Sequence, residues 1–111
     1  MIAEVQRQQA ITVIKAVLHA IQEKNYTTIS KLVDHSDLPM DELEEVIEET
    51  LRLNRQKNIP PFTEANAAFF EDEDGAGFEV EYLLTKEMVL IFEFFLLEGK
   101  LHSVLEEIAA N

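Results

Sequence analysis

The feature that most constrains this chain is a change of hydrophobic period across "NRQKNIPPFTEAN", residues 54–66. Before it, apolar residues recur every three or four positions; after it, they alternate. A helix returns a face every 3.6 residues and a strand every 2, so the chain must change element type at Pro60-Pro61. Helices followed by strands predict an α+β fold. The 111 residues read as one domain: a helical part over 1–54, a linker loop over 55–66 and an antiparallel sheet over 67–109.

In the helical part, Ala10, Val13, Ile14, Val17, Leu18 and Ile21 mark an amphipathic helix from Ile2 to Lys24, ending near Asn25 as a left-handed C-cap. "TTISKLVD" follows as a short helix capped by Thr27 or Thr28, with Ile29, Leu32 and Val33 facing inward. A third helix lies in "LPMDELEEVIEETLRLN", capped by Ser36 or Asp37, with Met40, Leu43, Val46, Ile47, Thr50, Leu51 and Asn54 as its inner stripe. Its outer face carries Glu44, Glu45, Glu48 and Glu49, with Arg52 and Arg55 towards the C-terminus. That order complements the helix dipole and by itself implies no function.

The rest predicts a curved four-stranded antiparallel meander: Ala67 to Asp72, Phe78 to Leu84, Met88 to Leu97 and Lys100 to Ile108. The last segment is ambiguous, because Leu101, Val104, Leu105 and Ile108 also fit a helix; the short hairpin signal "LLEGKL" favours a strand. A two-residue turn at Glu98-Gly99 places Leu96 opposite Leu101, Phe94 opposite Ser103 and Phe92 opposite Leu105. A three-residue loop at Thr85-Lys86-Glu87 places Tyr82 opposite Leu90, Val80 opposite Phe92 and Phe78 opposite Phe94. Both assignments gather Phe78, Val80, Tyr82, Leu90, Phe92, Phe94, Leu96, Leu101 and Leu105 on one face.

The other face then carries Val89, Ile91, Glu93, Phe95, Leu97, Glu79, Glu81, His102, Val104 and Glu106. A face half apolar and half acidic calls for a cover. A sheet-to-sheet homodimer through Ile91, Phe95, Leu97 and Val104 is the expectation.

Charge narrows the function. The chain has 22 acidic and 9 basic side chains, a net −13. Fifteen carboxylates and only three bases, Arg52, Arg55 and Lys57, lie between Asp34 and Glu81. Such a surface repels phosphate backbones and anionic membranes, so neither nucleic acid nor membrane is an expected partner, whereas a basic protein is. The absence of cysteine excludes disulfides, thiolate metal sites and a cysteine nucleophile. No basic stretch leads into an apolar run at the N-terminus, and a cytoplasmic protein is expected.

No phosphate loop, nucleophile elbow or H-E-x-x-H occurs, and no cofactor or metal is expected. "AFFEDEDGAGFEVEYLL", residues 68–84, invites comparison with a calcium loop, since Asp72, Asp74 and Glu81 fall at its third, fifth and twelfth positions around Gly75. Phe70 would occupy the first ligand position, however, and the flanks alternate as strands do. The segment therefore reads as an acidic hairpin turn. Glu79 across from Glu93, with His102 diagonal to it, is a weak catalytic candidate: paired carboxylates and an imidazole can do acid–base work. Against this, solvent-facing strands are routinely rich in Glu. His19 and His35 have no sequence-near partner at ligand spacing.

"IQEKNYTTISKLV" and "FEVEYLL…VLIFEFFLLEGKLHSVLEEI" resemble the helix-break-helix opening and closing hairpin of the cystatin-like or nuclear-transport-factor-2-like α+β roll superfamily. The resemblance implies helices packed on a bent sheet, often with a pocket between them and often a dimer through the sheet. The third helix follows the second so closely that little room is left for an early strand. The expected function is an acidic binding module, immunity- or inhibitor-like, engaging a basic protein through Asp41, Glu44, Glu45, Glu48, Glu49, Asp72 and Asp74. The alternative is a small-molecule-binding or isomerase/hydrolase-like roll with its pocket between sheet and helices, near Tyr82.

Overall fold

The computed structural model describes all of residues 1–111. Three helices precede most of the sheet: α1 (Glu4–Gln22), α2 (Ile29–Leu32) and α3 (Met40–Leu53). The strands are β1 (His35–Ser36), β2 (Ala67–Glu71), β3 (Gly77–Thr85), β4 (Met88–Leu97) and β5 (Lys100–Ala110). They form one mixed sheet in the order β1-β5-β4-β3-β2. The α+β class holds, but the expected four-stranded antiparallel meander is corrected to five strands, with β1 parallel to β5.

β1 is the early strand for which the sequence left little room. It pairs only His35 with Val104 and Ser36 with Leu105. Hydrogen bonds on both sides extend the contact, from Asp34 N–H to the Ser103 carbonyl at 3.0 Å and from Asp37 N–H to the Leu105 carbonyl at 2.9 Å. Two residues are too few to show a period, so no hydrophobic pattern announces such a strand.

Helix ends also differ from expectation. Lys24 rather than Asn25 takes the left-handed conformation after α1, with φ 59°. Pro39, not Ser36 or Asp37, stands at the N-cap of α3 and makes no side-chain cap. Ser36 is used elsewhere: its hydroxyl accepts from Leu38 N–H at 3.2 Å and donates to the Leu38 carbonyl at 2.7 Å.

The meander registers are those the two turns predict. β3 and β4 pair Tyr82 with Leu90, Val80 with Phe92 and Phe78 with Phe94. β4 and β5 pair Phe92 with Leu105, Phe94 with Ser103 and Leu96 with Leu101. Glu98 and Gly99 both have positive φ, 53° and 76°, as the tight primed hairpin turn requires. The β3–β4 connection is one residue tighter than expected: Thr85 pairs with Met88, leaving Lys86-Glu87 as the turn after a local irregularity.

The ambiguity of the last segment has a structural cause. Between Phe92–Leu105 and Ile91–Glu107 the β5 strand carries one extra residue, Glu106, a β-bulge. Alternation would send Ile108 to the outer face; the bulge returns it to the core side, where it packs against the buried cluster. A strand that skips one residue shows Leu105 and Ile108 three apart, as a helix would.

The core lies between the inner sheet face and the helices. Ile14, Val17, Leu18 and Ile21 of α1 and Leu43, Ile47 and Leu51 of α3 join Phe78, Val80, Tyr82, Leu90, Phe92, Phe94 and Leu105 in one buried cluster. Leu96, expected inside, is 46% exposed, because it lies at the hairpin end of the sheet. No helix is long and apolar enough to cross a membrane.

Candidate functional site

The helices occupy one face of the sheet. On the other, Glu79, Glu81, Leu83, Val89, Ile91, Glu93, Phe95, His102, Val104 and Glu106 are all half-buried, and none belongs to the core cluster. Neighbouring strands shield these side chains laterally while nothing closes over them.

Carboxylates converge at the centre of this open face. Glu79 and Glu93 are directly paired across β3 and β4, as the sequence predicts. The third member is Glu106 rather than His102: the bulge residue brings its carboxylate in, and the acid oxygens of Glu79, Glu93 and Glu106 lie within 4.8 Å of one another. Asp72, from the β2–β3 turn, acts on Glu93 as a further nearby acid. The close approach has a backbone cause. A Cβ on Gly77 would lie 2.3 Å from the Phe94 carbonyl and 3.0 Å from an Asp72 carboxylate oxygen, so only glycine lets the turn sit against β4.

None of the chain's ion pairs reaches Glu79, Glu93 or Glu106. Burial, followed by the interaction with Asp72 and the charges of Asp72, Glu106 and Glu79, pushes Glu93 up to about 8. Glu79 is raised by burial and then by its contact with Glu81, and Glu106 by burial and then by Asp37 and Glu107. Every charged group named here is acidic. Near neutral pH the centre therefore holds a proton that ordinary carboxylates would have lost.

His102 stands apart. Its ring stacks on Phe95, with centroids 5.5 Å apart, and its Nδ1 is 3.9 Å from the Asp34 carboxylate. Asp34 instead accepts from the backbone N–H of Ser103 at 2.8 Å and from its hydroxyl at 3.2 Å. Serine, histidine and aspartate thus lie together without forming a nucleophilic triad, because the buried hydroxyl is turned to Asp34 and not to the imidazole.

Three carboxylates are donors suited to an oxygen-seeking divalent cation. No buried side-chain polar atom of the chain lacks a hydrogen-bond partner, however, so no further group is left reaching for an ion. The 72–76 segment is a hairpin turn: Asp72 N–H bonds the Gly77 carbonyl, Gly75 N–H bonds the Asp72 carbonyl, and Ala76 N–H bonds Asp74 Oδ1. Gly75 supplies the positive φ, 72°.

The acids expected to form one partner surface differ in their surroundings. Glu71, beside the turn, pairs with the Met1 ammonium before α1, whereas Glu48 of α3 bonds Lys24 at 2.9 Å just after α1. The 19 residues of α1 rise about 1.5 Å each, so these two contacts lie at its opposite ends, roughly 28 Å apart. Glu48 also accepts from the Tyr26 hydroxyl, which lowers its pKa, and Glu49 pairs with Arg52 at 2.6 Å. Asp41, Glu44 and Glu45 are exposed.

Of the expected dimer face, Ile91, Phe95 and Val104 are half-buried on the open side, and Leu97 is 54% exposed at its end. Tyr82 lines no cavity. It is 1% exposed, its ring stacks on Phe62 at 5.4 Å, and its hydroxyl accepts Thr63 N–H at 3.0 Å. At Tyr82 the space is filled by the linker loop, a contact between distant segments that no local pattern announces; a cavity between sheet and helices lies instead beside Gln9, Thr12 and Val13 of α1 and Phe94, Leu101 and Ser103 of the sheet.

No protein-family model, curated protein or solved structure matches this chain.

Proposed function

We propose that this chain is a small acidic protein-binding module for a basic partner, acting as an immunity or inhibitor protein does. The observation that carries the reading is the crowding of Glu79, Glu93 and Glu106 on an open face with none of the chain's own cations paired to them. Like charges held together cost stability in isolation, and a cationic partner relieves that cost on binding. A cystatin-like or nuclear-transport-factor-2-like roll belongs to the same proposal. The one-sided helix layer and the early strand β1 support it. A small-molecule-binding or isomerase/hydrolase-like role centred on Tyr82 is disfavoured, because the hydroxyl is bonded to Thr63 and the ring is covered by Phe62.

The test is capture from the native cell on the immobilised chain at low salt, elution by a salt step, and titration of each purified capture at several ionic strengths. Basic proteins whose affinity falls at least tenfold between about 0.02 and 0.2 M salt are expected, since screening shortens the reach of exposed charge. Binding of equal strength at both salts would sink the proposal.

A further inference from the structure

We propose that the basic partner docks on the open face of the sheet, seating an arginine among Glu79, Glu93 and Glu106 and laying apolar neighbours against Ile91, Phe95 and Val104. The inference rests on the binding-module reading above and adds its surface and chemistry.

Two properties of this face act together. Its apolar side chains, Leu83, Val89, Ile91, Phe95 and Val104, are only half-buried, so a cover removes further apolar surface from water. The groups facing Glu93 are Asp72 of the turn, Glu79 of β3 and Glu106 of β5, all acidic; Glu81, Asp37 and Glu107 lie around them. Charge complementarity therefore specifies a cation at the middle of the cover. Arginine suits this place better than lysine. Its planar guanidinium offers five donors to several carboxylates at once and loses less hydration on entering a half-buried site.

The same charges argue against a second copy. Stacking this face on itself about a two-fold axis would set two groups of carboxylates against each other with no cation between them. The helical alternative is weaker too. Glu48 and Glu49 already have Lys24 and Arg52, while Asp41, Glu44 and Glu45 are exposed and stay hydrated. The sheet face combines crowded, half-buried carboxylates with a continuous run of half-buried apolar side chains.

The experiment uses a synthetic peptide alternating valine and arginine, its valine–lysine counterpart, and three forms of the full chain: wild type, E79Q/E93Q/E106Q and D41N/E44Q/E45Q. Each triple variant removes three carboxyl groups, the variants are compared at pH 8.5, where the sheet centre is most fully ionised, and circular dichroism checks that both are folded. Wild type is expected to bind the arginine peptide at least fivefold more tightly than the lysine peptide. The sheet triple should lose at least tenfold in affinity and the helical triple less than twofold. Affinity should rise from pH 6 to 8.5 in wild type, because the cation binds the ionised centre, and stay flat in the sheet triple.

Equal losses in the two triples would overturn the docking surface and leave the binding-module reading standing. Binding without arginine preference, or absent for the arginine peptide, would overturn the partner chemistry, while salt-insensitive captures from the cell would overturn the reading beneath it. A wild-type dimer in sedimentation at neutral pH, dissociated by V104E, would assign the face to a second copy and overturn the inference.

Discussion

Glycine at two neighbouring positions illustrates how different the demands on one residue type can be. Gly75 needs its conformation, with φ 72° and open space around a Cβ; Gly77 needs its missing side chain, with the Phe94 carbonyl 2.3 Å from where a Cβ would be. G75A should cost about 1 kcal/mol, whereas G77A should prevent the turn from closing on β4 and leave no cooperative thermal transition. Glu93 makes the second residue-scale prediction. Its folded-state pKa of about 8 lies above the ordinary 4.5, so the native state keeps a proton the unfolded state releases. Stability then falls as pH rises from about 4.5 to 8, and the penalty is complete only above 8. E93Q should match wild type in Tm near pH 4.5 and exceed it by several degrees at pH 8.5, about 1–2 kcal/mol for a half-open site. A variant that tracks wild type across this range would contradict the shift. The pairing of Glu79 with Glu93 was legible from strand register alone. That Asp72 joins them was not, since it depends on how closely a turn approaches the next strand.

Among the elements, those with a period could be read and those without could not. α1, α3 and the β3–β4–β5 meander repeat their apolar residues often enough to specify face and register. β1 has two residues and is held by what flanks it: Asp34 binds Ser103 through its main chain at 3.0 Å and through its carboxylate at 2.8 and 3.2 Å. Removing that carboxylate in D34A leaves the N–H of buried Ser103 without its acceptor. A loss of about 2–3 kcal/mol follows, a fall in Tm of roughly 10 °C. D34N keeps one acceptor oxygen and should recover about half; an unchanged Tm in D34A would show that β1 is not anchored there. Ser36 and Asp37, good caps by type, do not cap α3 because they are taken up by β1 and its turn. Tertiary pairing outweighed a local preference worth about 1 kcal/mol.

For the molecule as a whole, composition foretold the sign of the surface and nothing of its arrangement. Twelve of the thirteen net negative charges fall between Asp34 and Glu81, a single block in sequence. In space that block is distributed over α3, the β2–β3 turn and the open face of the sheet, with Glu71 and Glu48 at opposite ends of α1. Self-repulsion on this scale is screened by salt, so Tm should rise by several degrees between about 0.01 and 0.3 M sodium chloride at pH 8. The rise should be smaller at pH 4.5, where carboxylates are partly neutral; a pH-independent rise would point to general salt effects instead.

The bulge in β5 carries a last consequence. Because Glu106 is the residue without an opposite number, a chain lacking it would keep every observed pair, with Glu107 still facing Ile91 and Ile108 still facing Leu90. The ladder would become regular, and the hydrophobic layer would lose no member. Glu106 is thus a spare part for folding: the architecture closes without it, and what its presence adds is one more acid at the centre of the open face. A single codon separates a sheet that merely folds from one that gathers three carboxylates.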